Sequence, residues 1–456
     1  MTHPGLATHV GVVQGDPQVV DGIVVRQLGP INLMGSTPID RLFDDAREAE
    51  KESGLLAEPL AEVSRQVAAQ ETAVRANAAD PATADMTPSL TIAEDVSRTL
   101  LKRLRRGGAA LRARLTPQCV AAFQARDFLA GSRDEPPLTF EEQDSIPHIL
   151  WDLMYEGGTV GDVSWESFWG FRVPIAHWVL ADRTKRVALR RSMFGAIHQD
   201  LPFAAREIDA IAERLNRVGP CLSVVDYFRR FVRERLIAAS LSEAEADAWL
   251  AANADEWLEE YLFSGAGKPD DADQWKQDKI VEMLKSTDND VDLLHFACHS
   301  EPSTGVASRA ELKMKVGGAE LTFDVGSMKA NLRRQITSVS DPGPLVFLNA
   351  CRSVEGIQPF QPPPFATSWI NDRAALAVIS AVCPVPDYFA HAFALKYYDF
   401  LFGTAEATFG GRPVKGSLAG ALLATRRYFM DVHRNPLGLG YVLYASPGAY
   451  VALGGR

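Results

Sequence analysis

Apolar residues in this chain fall into runs of two kinds, continuous and helically spaced, and the runs alternate. The continuous ones are Val291 to Cys298 (VDLLHFAC), Pro344 to Ala350 (PLVFLNA) and Ala374 to Val382 (AALAVISAV). Arg191 to His198 (RSMFGAIH) reads as a further strand, and another lies near Tyr441 to Ala445. Between them the period changes to that of a helix. Ile208, Ile211, Ala212 and Leu215 share one helical face, as do Ile280, Val281 and Leu284 within Lys276 to Lys285. A helix begun by Ser417 is expected to run to about Met430. Continuous apolar strands alternating with amphipathic helices predict a largely parallel sheet covered on both faces.

Two stretches depart from this rhythm. Residues 224–264 carry two helical patterns, one with Phe228, Phe231, Val232 and Leu236, the other with Trp249, Leu250, Trp257, Leu258, Tyr261 and Leu262. The second pattern opens on the capping box Ser242-x-x-Glu245. The expectation is an inserted helical hairpin that packs on the core, with docking or regulation as the alternative. Residues 1–88 read as a separate N-terminal segment, a pro-segment or regulatory element or else an elaboration of the main domain at 89–456. Within it, Thr8 to Val13 and Gly22 to Arg26 could pair as a hairpin, and Leu55 to Asp85 reads as a helix fading into a linker.

The 456 residues carry a formal charge of −11, which argues against a general nucleic-acid binder. The basic runs at Arg98 to Arg114 and Arg183 to Arg191 interleave with apolar positions and read as solvated faces. An apolar stretch long enough for a membrane span is lacking, and the start does not have the form of a signal peptide. Five scattered cysteines without a CxxC pair suit a reducing compartment, so a cytoplasmic location is expected.

Candidate chemistry follows from strand ends. In an open parallel sheet, ligands gather at the carboxyl edge. The run Val291 to Cys298 leads into His299, and Pro344 to Ala350 leads into Cys351. If those strands are neighbours, imidazole and thiol come within reach of each other, giving a nucleophile and its base. Backbone N–H groups at Ser300 and Cys351, expected on loops leaving the sheet, would hold the oxyanion. His295 is expected as a core histidine, Cys298 as packing, and His391 as a surface or packing residue. A Walker loop, a dinucleotide fingerprint and HExxH are all missing from the sequence, so neither a metal nor a cofactor is implied.

These residues also carry a resemblance. Caspases have Gln-Ala-Cys-(Arg/Gln/Gly)-Gly with their histidine about 50 residues upstream. Here Asn349-Ala350-Cys351-Arg352-Ser353 follows His299 by 52 positions. The chain more closely resembles the CHAT branch of caspase-like proteases, in HFACHS at 295–300, PLVFLNAC at 344–351, WDLMYEGG at 151–158, WGFRVPIAHW at 169–178 and NPLGLGYVLYASP at 435–447. It departs from them at Ser300, where relatives have Gly, and at Cys383, where relatives often have Trp.

The resemblance implies a three-layer α/β caspase-like sandwich and a cysteine endopeptidase that cuts a protein partner. It also implies a role in bacterial defence or regulated cell death, with activation by a partner or a protease. By the same resemblance the substrate pocket is walled by Asn349, by the loop Tyr155 to Trp169 and by the loop Cys383 to Tyr388. Its acidic candidates include Glu156 and Asp387, with Asp387 read first as the cap of a helix starting at Tyr388. A basic or an apolar P1 residue is expected, and a single chain is favoured over an oligomer. The rivals are a catalytically silent scaffold that binds partners and an acyltransferase using the same thiol.

Overall fold

The computed structural model describes residues 56–78, 84–115, 150–158, 160–179, 186–189, 192–215, 221–264, 272–287, 291–301, 311–324, 344–352, 364–371, 375–409, 411–445 and 450–453, with short strands at 7–10, 19–20, 23–24, 37–38 and 138–142. The architecture is α/β with a largely parallel central sheet. Side by side lie Cys221–Ser223, Ser192–Ile197, Val291–Glu301, Leu345–Arg352 and Ala377–Ala381, all parallel. Tyr441–Ala445 then pairs antiparallel with Ala377–Ala381, and Ile175–Val179 and Leu138–Glu142 continue parallel to it. Each continuous apolar run of the sequence is therefore a strand near the middle of the sheet.

Burial explains why those runs do not alternate. Leu293 to Cys298 and Leu345 to Leu348 are buried at every position, because helices cover both faces. On one face lie Ala204–Leu215 and Asp387–Phe402, with Leu418–His433 packed behind the latter. Ile208 presses so closely on Gly195 that a Cβ there would meet it at 2.7 Å. The other face meets Pro364–Asn371, whose Trp369 ring lies 5.8 Å from Phe296. The Ser417 cap is present, its hydroxyl accepting from the Gly420 N–H.

Residues 224–264, expected as a helical hairpin, hold three helices, Val224–Ala238, Glu243–Ala252 and Trp257–Ser264. The second apolar pattern splits at Asn253, whose side chain bonds back to the Trp249 carbonyl and closes the middle helix. The Ser242–Glu245 capping box is formed as expected. Phe228, Val232, Leu250, Trp257, Leu258 and Leu262 are buried in the common core. The third helix also holds a hairpin. Glu311–Val316 and Ala319–Asp324 turn through Gly317 and Gly318, both at positive φ, and the Gly317 carbonyl accepts from the Leu258 and Glu259 N–H groups.

Near the amino terminus, Ala7–Val10 pairs with Leu138–Glu142 and with Thr37–Pro38, so the anticipated 8–13/22–26 hairpin is not the pairing found. The expected helix spans Ala57–Asn77, and its Leu56, Leu60, Val63 and Val67 belong to the same core as the sheet.

Candidate active site

The histidine strand Val291–Glu301 and the cysteine strand Leu345–Arg352 are neighbours, and their register sets His299 opposite Cys351. Parallel neighbours are about 4.8 Å apart, and residues opposite one another share a face. Both positions lie at the carboxyl edge, yet neither strand ends there. The ladder continues to Ser300 opposite Arg352, and on its other side the histidine strand pairs His299, Ser300 and Glu301 with Lys313, Leu312 and Glu311. Ser300 and Cys351 were expected on loops; both stand inside the sheet.

The half-buried His299 has a neighbour that the sequence reading passed over. His198, ending the strand on the far side of the histidine strand, brings its ring centroid to 4.4 Å from that of His299, edge to face. Its backbone N–H donates to the Ala297 carbonyl at 3.0 Å, and the Asp200 N–H approaches its Nδ1 at 3.4 Å. Burial, and then the nearness of His299, push the His198 pKa down. The loop bordering His299 is consequently 198–203. The loop 155–169 leads instead to Ile175–Val179, which two intervening strands separate from the cysteine strand. Glu156, expected at the pocket, is ion-paired with Arg112 at 2.8 Å.

Asn349 is almost fully buried. Its Nδ2 donates to Glu207 Oε1 at 2.6 Å, and its Oδ1 accepts from the Tyr441 hydroxyl at 2.6 Å. Both ends of the amide are thus engaged within the protein, at the position where a pocket wall is expected. His295 is the core histidine anticipated, fully buried between Glu207 (2.5 Å) and Tyr398 (3.0 Å). His391 is packed as expected, its ring 5.6 Å from Phe203 and 5.9 Å from Tyr388.

Asp387 does not cap the helix Asp387–Phe402; it is the first residue of that helix, which follows Pro386 without a side-chain cap of its own. It meets the Phe203 N–H at 3.3 Å and Arg75 at 3.4 Å, and burial, with Glu207 nearby, pushes its carboxyl up to about 6. The cap comes from the amino-terminal helix. Glu71 accepts from the Tyr388 and Phe389 N–H groups at 3.2 and 2.9 Å. Arg75 from the same helix lies over the Phe203 ring at 5.0 Å. One helix therefore ties Phe203, at the end of the loop 198–203, to the start of the helix Asp387–Phe402.

The chain is similar to the Arg-specific cysteine proteinase gingipain R, at 11% identity over 73% of this chain and 68% of that one, with a TM-score of 0.38. For the complex of Porphyromonas gingivalis RgpB pro- and mature domains the figures are 10%, 78%, 76% and 0.40. For the Saccharomyces cerevisiae separase–securin complex they are 10%, 87%, 22% and 0.32, so the chain spans about a fifth of that chain's length. No family model matches the sequence, and no curated protein matches it.

Two other thiols lie close in sequence or space to the pair and can be set aside on chemistry. Cys298, on the opposite face of the histidine strand from His299, is fully buried, and burial pushes its thiol far up. Cys383, in the loop after Ala377–Ala381, is buried against Gly440 and is pushed up to about 12. A thiol held neutral is a poor nucleophile. No helix among the described residues is long and apolar enough to cross a membrane.

Proposed function

We propose that the protein is a cysteine endopeptidase in which Cys351 is the nucleophile and His299 its base. The observation that carries this reading is the register of the two central strands, which sets His299 opposite Cys351 at the carboxyl edge. The two sequence motifs, HFACHS and PLVFLNAC, add to it.

In the proposed reaction His299 takes the proton of the Cys351 thiol, and the thiolate attacks the scissile carbonyl carbon. The imidazolium then gives its proton to the leaving amine as the C–N bond breaks, leaving an acyl-thioester. Water, deprotonated by His299, attacks that carbonyl, and the thiolate departs and takes the proton back from the imidazolium, which restores the enzyme. The N–H groups of Ser300 and Cys351 are the proposed donors for the oxyanion. For either to serve, the outer end of the ladder from the His299–Cys351 pair onward has to open, since a donor cannot satisfy both the sheet and the oxyanion. This makes the form described here a resting one, in keeping with activation by a partner protein or a protease, and with a role in regulated cell death or bacterial defence by resemblance. The same closed ladder favours one second reading, a catalytically silent scaffold that binds partner proteins.

The loops 198–203 and 382–386 would bound the P1 residue. Asp387 is already matched by Arg75 and the Phe203 N–H, and Asp200 by Lys315 at 3.1 Å. A P1 side chain of apolar character therefore fits better than a basic one. Active-site labelling with acyloxymethyl-ketone peptides varied at P1 tests the proposal on the wild type, Cys351→Ala and His299→Ala. Labelling lost in both variants and strongest with an apolar P1 is expected. Absence of labelling from the wild type, also after limited proteolysis, would leave the scaffold.

A further inference from the structure

Directly beneath the His299/Cys351 pair lies a polar network that packing does not require. Glu207 enters from the helix Ala204–Leu215, and a single oxygen, Oε1, accepts from His295 Nε2 at 2.5 Å and from Asn349 Nδ2 at 2.6 Å. His295 belongs to the histidine strand and Asn349 to the cysteine strand. The far ends are fixed as well. The Tyr398 hydroxyl is 3.0 Å from His295 Nδ1, and the Tyr441 hydroxyl donates to Asn349 Oδ1 at 2.6 Å. All five side chains are buried or nearly so.

Period 2 puts Asn349 on the face of Cys351, one side-chain repeat deeper, and places His295 likewise two repeats below His299. Across the strands Ala297 pairs with Asn349, and the next pair on that face is His299 with Cys351. The bridge through Glu207 thus runs obliquely between the two strands, from Asn349, about 7 Å below Cys351, to His295, about 13 Å below His299, at two and four residues of strand rise. Apolar side chains would pack a sheet interior at least as stably as a buried carboxylate with its partners. What they cannot do is tie two particular strands to one point with directional bonds.

We infer that Glu207 is a positioning residue, a cross-brace that fixes the histidine strand and the cysteine strand at the separation His299 and Cys351 need. The inference rests on the proposal that these two residues act together. Glu207 also continues the chain from the loop 198–203, so the helix that carries the brace also carries the loop of His198.

The test is the rate of Cys351 alkylation by iodoacetamide between pH 5 and 9, read by mass spectrometry of the Cys351 peptide. It needs no substrate, and it compares the wild type with His299→Ala, Glu207→Gln and Asn349→Ala. The wild type is expected to react well below the ordinary thiol pKa of about 8.5, and His299→Ala to lose that reactivity. Glu207→Gln, which keeps the shape and an acceptor oxygen but removes the charge that strengthens both bonds, is expected to slow alkylation at pH 6.5 about tenfold while leaving the rate at pH 9 unchanged, the penalty of a loosened partner. Asn349→Ala, which cuts only the arm to the cysteine strand, should do the same and decides the matter if Glu207→Gln does not fold. Folded Glu207→Gln and Asn349→Ala proteins with the wild-type profile overturn the brace, and a loss confined to His299→Ala leaves the dyad standing. A wild-type profile in His299→Ala overturns the dyad and the brace together.

Discussion

The imidazoles of His198 and His299 meet edge to face with their centroids 4.4 Å apart, each at the carboxyl end of adjoining strands. Burial, and then the nearness of His299, lower the His198 pKa, and the Asp200 N–H directed at its Nδ1 leaves Nε2 to carry the ring proton of the neutral form. On the proposed reading of the pair, His198 helps to orient the His299 ring. Aromatic pairs contribute about 0.5–1.5 kcal/mol beyond area burial, which as a rate is a factor of about 2–12. His198→Ala is expected to slow acyloxymethyl-ketone labelling of Cys351 by that factor, and His198→Phe to recover most of it. Equal rate constants in all three proteins would remove His198 from the site.

Cysteine selectivity is a second expected outcome. Cys298 and Cys383 are both buried, and desolvation holds both thiols neutral at physiological pH. In the native protein at pH 8, iodoacetamide should modify Cys351 and leave Cys298 and Cys383 untouched until denaturant is added. Peptide mass mapping before and after unfolding reads this directly. Native modification of Cys383 would show that the loop after Ala377–Ala381 opens.

The parts of the fold legible in the sequence were those set by short-range pattern. Continuous burial wrote the central strands as apolar runs, and local hydrogen bonding wrote Ser417 and the Ser242–Glu245 box as caps. The His299/Cys351 register was within reach because both runs end at the same edge. Lateral order was not, because which strand lies beside the histidine strand depends on pairing between distant segments. Hence the loop 198–203 was passed over for 155–169. The Asp387 cap failed for a related reason: Glu71, from a helix more than 300 residues earlier, takes the N–H groups that a local side chain was expected to take. Glu207 left one faint signal, a carboxylate four positions before Ile211 and three after Ala204, on the apolar side of its helix.

The Glu71 cap leads to a pH dependence. Burial pushes Glu71 from 4.5 up to about 7, against the pull of the Phe389 and Tyr388 N–H groups, and Asp387 beside it rises to about 6. A carboxyl with a raised folded-state pKa binds more protons folded than unfolded, so its contribution is fully present below the unfolded value and is lost as pH rises through the folded one. For Glu71 the window runs from about 4.5 to 7. Glu71→Gln is therefore expected to flatten the fall in Tm across that window relative to the wild type, with the two proteins differing least at its acidic end. Parallel Tm–pH curves for the two proteins would mean that Glu71 does not titrate with folding.

The buried ion pair of Asp152 with Arg426 has the opposite sign. The two meet at 2.6 Å with both side chains about 1% exposed, and His177 Nε2 lies 2.9 Å from the other Asp152 oxygen. Burial alone would raise the Asp152 carboxyl, but Arg426 and His177 outweigh it and bring it down to about 2. Arg426 also donates to the carbonyls of Gly170, Gly438 and Tyr441, so its planar fork joins three segments that a lysine could not span. Removing one partner of such a pair leaves a buried charge unmatched and typically costs about 3–5 kcal/mol. Arg426→Met is expected to lose stability on that scale in urea unfolding at pH 7, and the further change Asp152→Asn to restore part of it. Because the folded pKa is depressed, the stabilisation is present above the unfolded value near 4 and fades as pH falls toward about 2. The difference between wild type and Arg426→Met should accordingly shrink over that interval. A difference that stays constant from pH 5 to pH 2 would assign the loss to Arg426's carbonyl contacts alone and not to its charge.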